Sequence, residues 1–209
     1  MFDKINPDKI DYGPPIEIVL PARSVLGSID LDPFSTPKLN RIVTAARIYN
    51  RHKLELEDIL AKEWDSRGEK RVFVGPPTGA AVTRRLLNKL LREYRAGRVS
   101  QAIAWIGHNE SLIRMPWVWD FPVCIPFHRL RPCYYDEELD RFRNVSPSDW
   151  SAVIYLPPAD DAYAFHAGVS RFHVSFAPVG RIVFNQYSGE DDWKESYEVV
   201  TGKSYSFYT

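Results

Sequence analysis

Arg71-Val72-Phe73-Val74-Gly75-Pro76-Pro77, then Leu86, Leu87, Leu90, Leu91 and Tyr94, then Ala102-Ile103-Ala104-Trp105-Ile106: this stretch decides the fold. Residues 71–75 are β-branched and aromatic, the types that pack well on a pleated surface, and they run into prolines that cannot donate to a ladder, so a strand ending in a special loop is predicted. The leucines recur at helical spacing and predict an amphipathic helix over 81–96. Val99 to Ile106 predicts a further strand. Strand, helix and strand in this order predict a right-handed parallel crossover, and hence an α/β sandwich with a mostly parallel sheet flanked by helices.

Upstream, residues 1–15 are polar and end in Tyr12-Gly13-Pro14-Pro15, an extended or turning entry. Ile16, Val19, Leu20, Val25 and Leu26 predict a helix that Pro21 kinks and Gly27 stops. Ser28-Ile29-Asp30-Leu31-Asp32 alternates and predicts a short strand cut by Pro33, with acids near its carboxyl end. Residues 35–64 read as loop plus short helix. Downstream, strands are predicted at 123–127, 151–156 and 180–184, a helix at 162–172, and a charged, aromatic insertion at 132–149. One domain over 1–185 and a polar, aromatic tail over 186–209 complete the organisation.

The chain has 209 residues, 44% of them apolar and 26% charged, with 27 lysines plus arginines against 27 aspartates plus glutamates. A folded chain of this length removes roughly 70% of its unfolded surface from water, enough for one substantial core. The charge balance excludes the overall basic excess of a small dedicated nucleic-acid binder, so any such contact must come from a local patch. Cys124 and Cys133 are too few for a disulfide framework and read as reduced cytosolic thiols. No window reaches the roughly 18 apolar residues of a membrane span, and Met1-Phe2-Asp3-Lys4 opens no apolar leader, so an intracellular protein with no membrane partner is expected.

In an open α/β sheet, ligands bind beyond the carboxyl ends of the strands near the topological switch point. Two segments qualify. At Asp30-Leu31-Asp32-Pro33-Phe34 a carboxylate can accept from a ligand amine or ribose and Phe34 can pack on a flat ring; a solvated acidic turn would carry the same residues. At Gly75-Pro76-Pro77-Thr78-Gly79 the prolines remove two donors and leave carbonyls free to accept; an ordinary Pro/Gly loop would do the same.

Taken in order, Tyr12-Gly13-Pro14, Gly27-Ser28-Ile29-Asp30-Leu31-Asp32-Pro33-Phe34-Ser35, Trp64, Val74-Gly75-Pro76-Pro77-Thr78, Lys89-Leu90-Leu91-Arg92-Glu93-Tyr94, Val99-Ser100-Gln101-Ala102-Ile103 and Pro122-Val123-Cys124-Ile125-Pro126-Phe127-His128-Arg129-Leu130 resemble the phage-type, Dam-like DNA N6-adenine methyltransferases. The likeness covers residues 12–131 and thins out towards 184. It implies a Rossmann-like methyltransferase sandwich in a phage or prophage protein, acting in the cytoplasm of an infected or lysogenic bacterium. It further implies that Tyr12, Asp30, Asp32, Pro33 and Phe34 border an S-adenosylmethionine site, and that Gly75, Pro76, Pro77 and Thr78 face an adenine flipped out of double-stranded DNA. In active relatives an Asn side chain and the first proline carbonyl of Asn-Pro-Pro-Tyr accept the adenine N6 hydrogens and the Tyr stacks on the base, so transfer depends on in-line positioning.

The sequence departs from that pattern where it matters most. Gly75 stands in place of the Asn, Thr78 in place of the Tyr, and Gly13 in place of a Thr, which leaves the Pro76 carbonyl as acceptor and implies methyl transfer that is weak, altered or lost, as in a pseudoenzyme. Tyr12, Asn109 or a residue of 132–149 is the available substitute. The other reading is a non-catalytic methyltransferase-fold protein serving as a DNA-binding, anti-restriction or assembly partner.

For DNA the candidates are Arg84, Arg85 and Lys89 on the 81–98 helix, which carries six cations against Glu93, and Arg129 and Arg131 beyond a strand end; either set would also serve as a solvated charged face. Trp117 and Trp119 flank Val118 at strand-like spacing, suited to core packing or base stacking. The histidines have no zinc-ligand spacing, so no metal is expected, and neither a nucleophile elbow nor a phosphate-binding Gly-rich loop is present.

Overall fold

The computed structural model describes residues 11–64, 70–76, 79–108, 110–146, 149–184, 198 and 200–201. In chain order the elements are β1 (Tyr12–Gly13), α1 (Ile16–Leu26), β2 (Leu31–Ser35), α2 (Asn40–Val43), β3 (Arg47–Asn50), α3 (Leu56–Ala61), β4 (Arg71–Val74), α4 (Ala80–Arg95), β5 (Gln101–Ile106), α5 (Glu110–Ile113), a 3-10 turn (Pro116–Asp120), β6 (Val123–Pro126), β7 (Cys133–Asp136), β8 (Arg141–Asn144), β9 (Ala152–Leu156), α6 (Ala162–Phe176) and β10 (Gly180–Val183). The protein is α/β: a seven-stranded mixed sheet, order β10-β6-β9-β5-β4-β2-β3, is flanked by helices, and β1-β7-β8 form a second small sheet. Strands β3, β2, β4 and β5 pair in parallel, whereas β9 is antiparallel to both β5 and β6, and β10 is antiparallel to β6.

The central strands are buried on both faces, as expected of a sheet covered on two sides. Successive side chains point to opposite faces, and the two sets enter two separate cores. Val72, Val74, Ala102, Ala104, Ile154 and Leu156 pack with the α4 leucines, Ile59 and Trp64. Phe73, Ile103, Trp105, Val153 and Tyr155 pack with Ile18, Val19, Ala22 and Val25 of α1 and with Phe172 and Phe176 of α6. Each such large apolar side chain contributes about 1.5–3 kcal/mol when fully buried. The predicted strand-helix-strand stands as β4-α4-β5, with Arg71 to Val74 in register with Gln101 to Ala104. Gly27, at φ 76°, ends α1 and donates its N–H to the Arg23 carbonyl.

Several expectations are corrected. The strand expected over 28–32 runs instead over Leu31–Ser35, with Pro33 inside it. The pairing of β2 with β3 shifts between Asp32 and Ser35, so Pro33 sits where the ladder is broken and its missing N–H costs nothing. Within the stretch read as loop and helix, Arg47–Asn50 is an edge strand. The spacing of Trp117 and Trp119 belongs to a 3-10 turn that buries Val118, not to a strand. α6 runs past Phe172 to Phe176 and carries Gly168 in its buried face. Within the 132–149 insertion, residues 133–144 form the β7-β8 hairpin, which the entry strand β1 joins. Of the tail, Val200 is buried in the α4 core; the rest of 186–209, apart from 198 and 201, lies outside the described residues. Among the described residues no helix is long and apolar enough to cross a membrane.

Candidate functional site

The chain leaves β2 for β3 on one side and returns to β4 on the other, so the topological switch point falls between β2 and β4. Their carboxyl ends are Asp32-Pro33-Phe34-Ser35 and Gly75-Pro76, and a ligand of an open α/β sheet is expected in the crevice between such ends.

Asp32 is 3% exposed, and its Oδ1 accepts the Phe34 N–H at 3.2 Å. Burial pushes its carboxyl up to about 6, against the opposing pull of the Phe34 and Ser35 hydrogen bonds and the Arg51 charge. Phe34 is half-buried, and the Arg51 guanidinium lies 5.5 Å from its ring centroid in a cation–π contact. Arg51 also pairs with Asp11 and donates from Nη2 to the Tyr12 carbonyl at 3.0 Å. Thr36 Oγ1 donates to Asp11 Oδ2 at 2.6 Å, and its oxygen accepts the Leu39 N–H.

These bonds hold the entry segment across the strand ends. Cys133 Sγ on β7 donates to the Pro14 carbonyl at 3.2 Å, and Gly13 fits where a Cβ would come within 2.5 Å of Leu39 Cδ2. Burial pushes the Cys133 thiol up to about 11, so it stays protonated. Pro14 lies against Gly75: a Cβ there would stand 3.0 Å from Phe73 Cε1 and 3.3 Å from Pro14 Cβ and Cγ. The site is therefore three segments packed together, 11–14, 32–36 and 75–76, with Arg51 joining the first two and Pro14 meeting the third.

Tyr12, Asp32, Pro33, Phe34, Gly75 and Pro76 come together in this way. Pro77, Thr78 and Asn109 lie outside the described residues. Asp30 does not join them. It precedes β2 at the amino end of the sheet, where Arg71 Nε and Nη2 grip it at 2.9 and 2.7 Å and the Arg71 N–H adds a bond at 3.0 Å. Burial raises this carboxyl, but the Arg71 bonds outweigh it and hold it below its ordinary value. Asp30 clamps the segment leading into β2 to Arg71 of β4.

Of the DNA candidates, Lys89 is corrected to an internal residue. Its Nζ meets Glu93 at 2.5 Å, with side chains 8% and 1% exposed, and Arg98 Nε reaches the same carboxylate at 2.6 Å. That carboxylate also accepts the Trp64 N–H, so the triad ties the chain before β4 to the back of α4. Arg84 is half-buried, and Arg85 is exposed and paired with Glu57 at 2.6 Å. Arg129, whose guanidinium lies 5.9 Å from the Trp150 ring, and Arg131 are exposed beyond the carboxyl end of β6, on the same rim as the crevice. Among the described residues no group of three or more His, Cys, Asp or Glu is placed to hold a metal.

Sequence reasoning passes over Asp11, Thr36, Leu39 and Arg51. Arg51 follows a four-residue edge strand in a charged stretch, and only its tertiary contact with residues about 40 positions away marks it. Comparison with family models, curated proteins and solved structures finds no match to this chain.

Proposed function

We propose that this chain is a methyltransferase-fold protein of the Dam-like DNA N6-adenine type that binds S-adenosylmethionine at the β2/β4 crevice, with methyl transfer weak or lost. The observation that carries this reading is the position of the switch point. The two segments that resemble the family's donor-site and catalytic motifs are far apart in sequence, yet they occupy the two strand ends where a doubly wound sheet binds its ligand. The residues present suit the donor: Phe34 offers a half-buried ring and Asp32 a buried acceptor. When bound, S-adenosylmethionine supplies the methyl group. The Pro76 carbonyl is left to accept from the N6 group of an adenine flipped out of double-stranded DNA, while the exposed Arg129 and Arg131 on the same rim suit phosphates. A Rossmann-like methyltransferase sandwich and a cytoplasmic site of action in a phage-infected or lysogenic host go with this reading.

One observation favours the second reading, a non-catalytic partner in DNA binding, anti-restriction or assembly. The position of the missing Asn is packed around a glycine, with Pro14 filling the space a side chain would need. Calorimetric titration with S-adenosylmethionine separates the two. A Kd of about micromolar supports the donor site and leads to methylation assays on adenine-containing duplexes. No heat from a folded chain removes the donor site and leaves the non-catalytic reading.

A further inference from the structure

The ends of β2 and β4, where a ligand of an open α/β sheet is expected, are buried: Asp32, Pro33, Ser35 and Thr36 on one, Gly75 and Pro76 on the other. The chain's own entry segment, residues 11–15, lies against both. Asp11 accepts from Thr36 Oγ1 at 2.6 Å and pairs with Arg51, whose guanidinium sits over Phe34. Pro14 and Pro15 are buried, and Pro14 Cβ and Cγ come within 3.3 Å of where a side chain at position 75 would begin. The segment thus fills the place to which the topology directs a ligand.

Its fastening is slight. β1 pairs with β7 over two residues, Tyr12 opposite Tyr134 and Gly13 opposite Cys133, and the Cys133 thiol adds one bond to the Pro14 carbonyl. Segments held by so few bonds are the first to open locally. The strongest tie, Asp11 with Arg51, is offset by the hydration both charges regain when they part. Docking also carries a penalty, because Arg51 Nη1 is buried without a hydrogen-bond partner and a charged donor costs more to leave unpaired than a neutral one. Lifting Asp11 and Tyr12 away from Arg51 opens its guanidinium to water.

We infer that residues 11–15 are an autoinhibitory strap: docked, they exclude a small ligand from the β2/β4 strand ends, and a ligand enters by displacing them. The inference rests on those strand ends being a ligand site, as proposed above, and does not require the ligand to be a methyl donor. Since the two occupants exclude each other, holding the strap down weakens binding, and binding lifts the strap. The apparent affinity is the intrinsic one reduced by the fraction of chains with the strap up.

The test pins the strap in the full chain. Tyr12 and Tyr134 are directly opposite and in ring contact on the side of the small sheet away from Cys133, so Tyr12→Cys with Tyr134→Cys places two thiols within disulfide reach. Calorimetric titration with S-adenosylmethionine and with adenosine is then run on the oxidised and reduced forms of this one protein. The reduced form is expected to bind at least about ten-fold more tightly than the oxidised. Equal binding, or tighter binding when oxidised, overturns the strap and leaves the donor reading in place. The wild type gives a second measurement: saturating S-adenosylmethionine should raise the rate at which Cys133 is labelled by a thiol reagent at least about ten-fold, with Cys124 as the control. A ligand that binds while Cys133 stays protected likewise overturns the strap alone. If adenosine shows the dependence on the disulfide and S-adenosylmethionine binds neither form, the donor reading falls and the strap stands. If neither compound binds the folded, reduced protein, both fall.

Discussion

Asp32 carries a cost that pH can reveal. Its carboxyl titrates near 6 in the fold against an ordinary 3.8, so between about pH 4 and pH 6 the native state holds a proton that the unfolded chain has released. Stability contributed by this group therefore falls as pH rises through that window, by an amount on the order of 3 kcal/mol. Asp32→Asn keeps an oxygen for the Phe34 N–H and removes the charge. Urea unfolding should find it more stable than wild type at pH 8, by up to about 3 kcal/mol, with the gap closing near pH 4; parallel pH profiles for the two proteins would disprove the burial argument. Gly75 is the opposite case, a position held small by its neighbours. Gly75→Ala should cost about 1–3 kcal/mol through the contacts with Phe73 and Pro14, part of it regained by adding Pro14→Gly, as read from thermal unfolding. Gly75→Asn with Thr78→Tyr supplies the residue types of active relatives and, with Pro14→Gly added to make room, is expected to raise adenine methylation on the order of 10²-fold. No gain from a folded, donor-bound variant counts against Gly75 as the missing acceptor.

In α4 the cations have different tasks. Lys89→Ala removes one partner of the buried Glu93 and should cost about 1–3 kcal/mol in denaturant unfolding, while exposed Arg92→Ala should stay within about 0.5 kcal/mol. Burial raises the Glu93 carboxyl, but the Arg98 and Lys89 bonds bring it down to about 2, so its support is complete above pH 4.5 and fades below that. The helix itself was legible because its leucine stripe repeats at one period over 16 residues. That one of its lysines faces inward was not, since charge alone does not say where a partner waits. β4 and β5 were legible for their unbroken β-branched and aromatic runs. β2 was misplaced because Pro33 reads as a stop, and only a ladder already broken at that point makes proline harmless. β3 was missed because Arg47-Ile48-Tyr49-Asn50 is short, alternates with a charge and has its meaning in the β2 beside it. For the same reason Asp32 and Gly75 could be named from motifs, whereas Arg51, the residue joining the end of β2 to the entry segment, could not.

The molecule has two cysteines, both buried, and burial pushes Cys124 up to about 12 and Cys133 to about 11. Neither is expected to react with an aromatic disulfide reagent at pH 8 until the chain unfolds, when both should; rapid labelling of Cys133 alone would show the entry segment leaving β7. The order of the large sheet has a consequence for how it is assembled. Residues 31–106 yield β2, β3, β4 and β5, a set of paired neighbours, and β6 follows in sequence without pairing with any of them. Its place beside β5 is taken by β9, which is made later and bonds to both. Synthesis therefore completes the β5-β4-β2-β3 flank and makes β6 before the strand that joins them, with β10, the other neighbour of β6, made last, so β5 is for a time an exposed edge and β6 an unpaired strand. A chain stopped short of Ala152 would have four parallel strands and a β6 with no strand beside it, and nothing to join the one to the other.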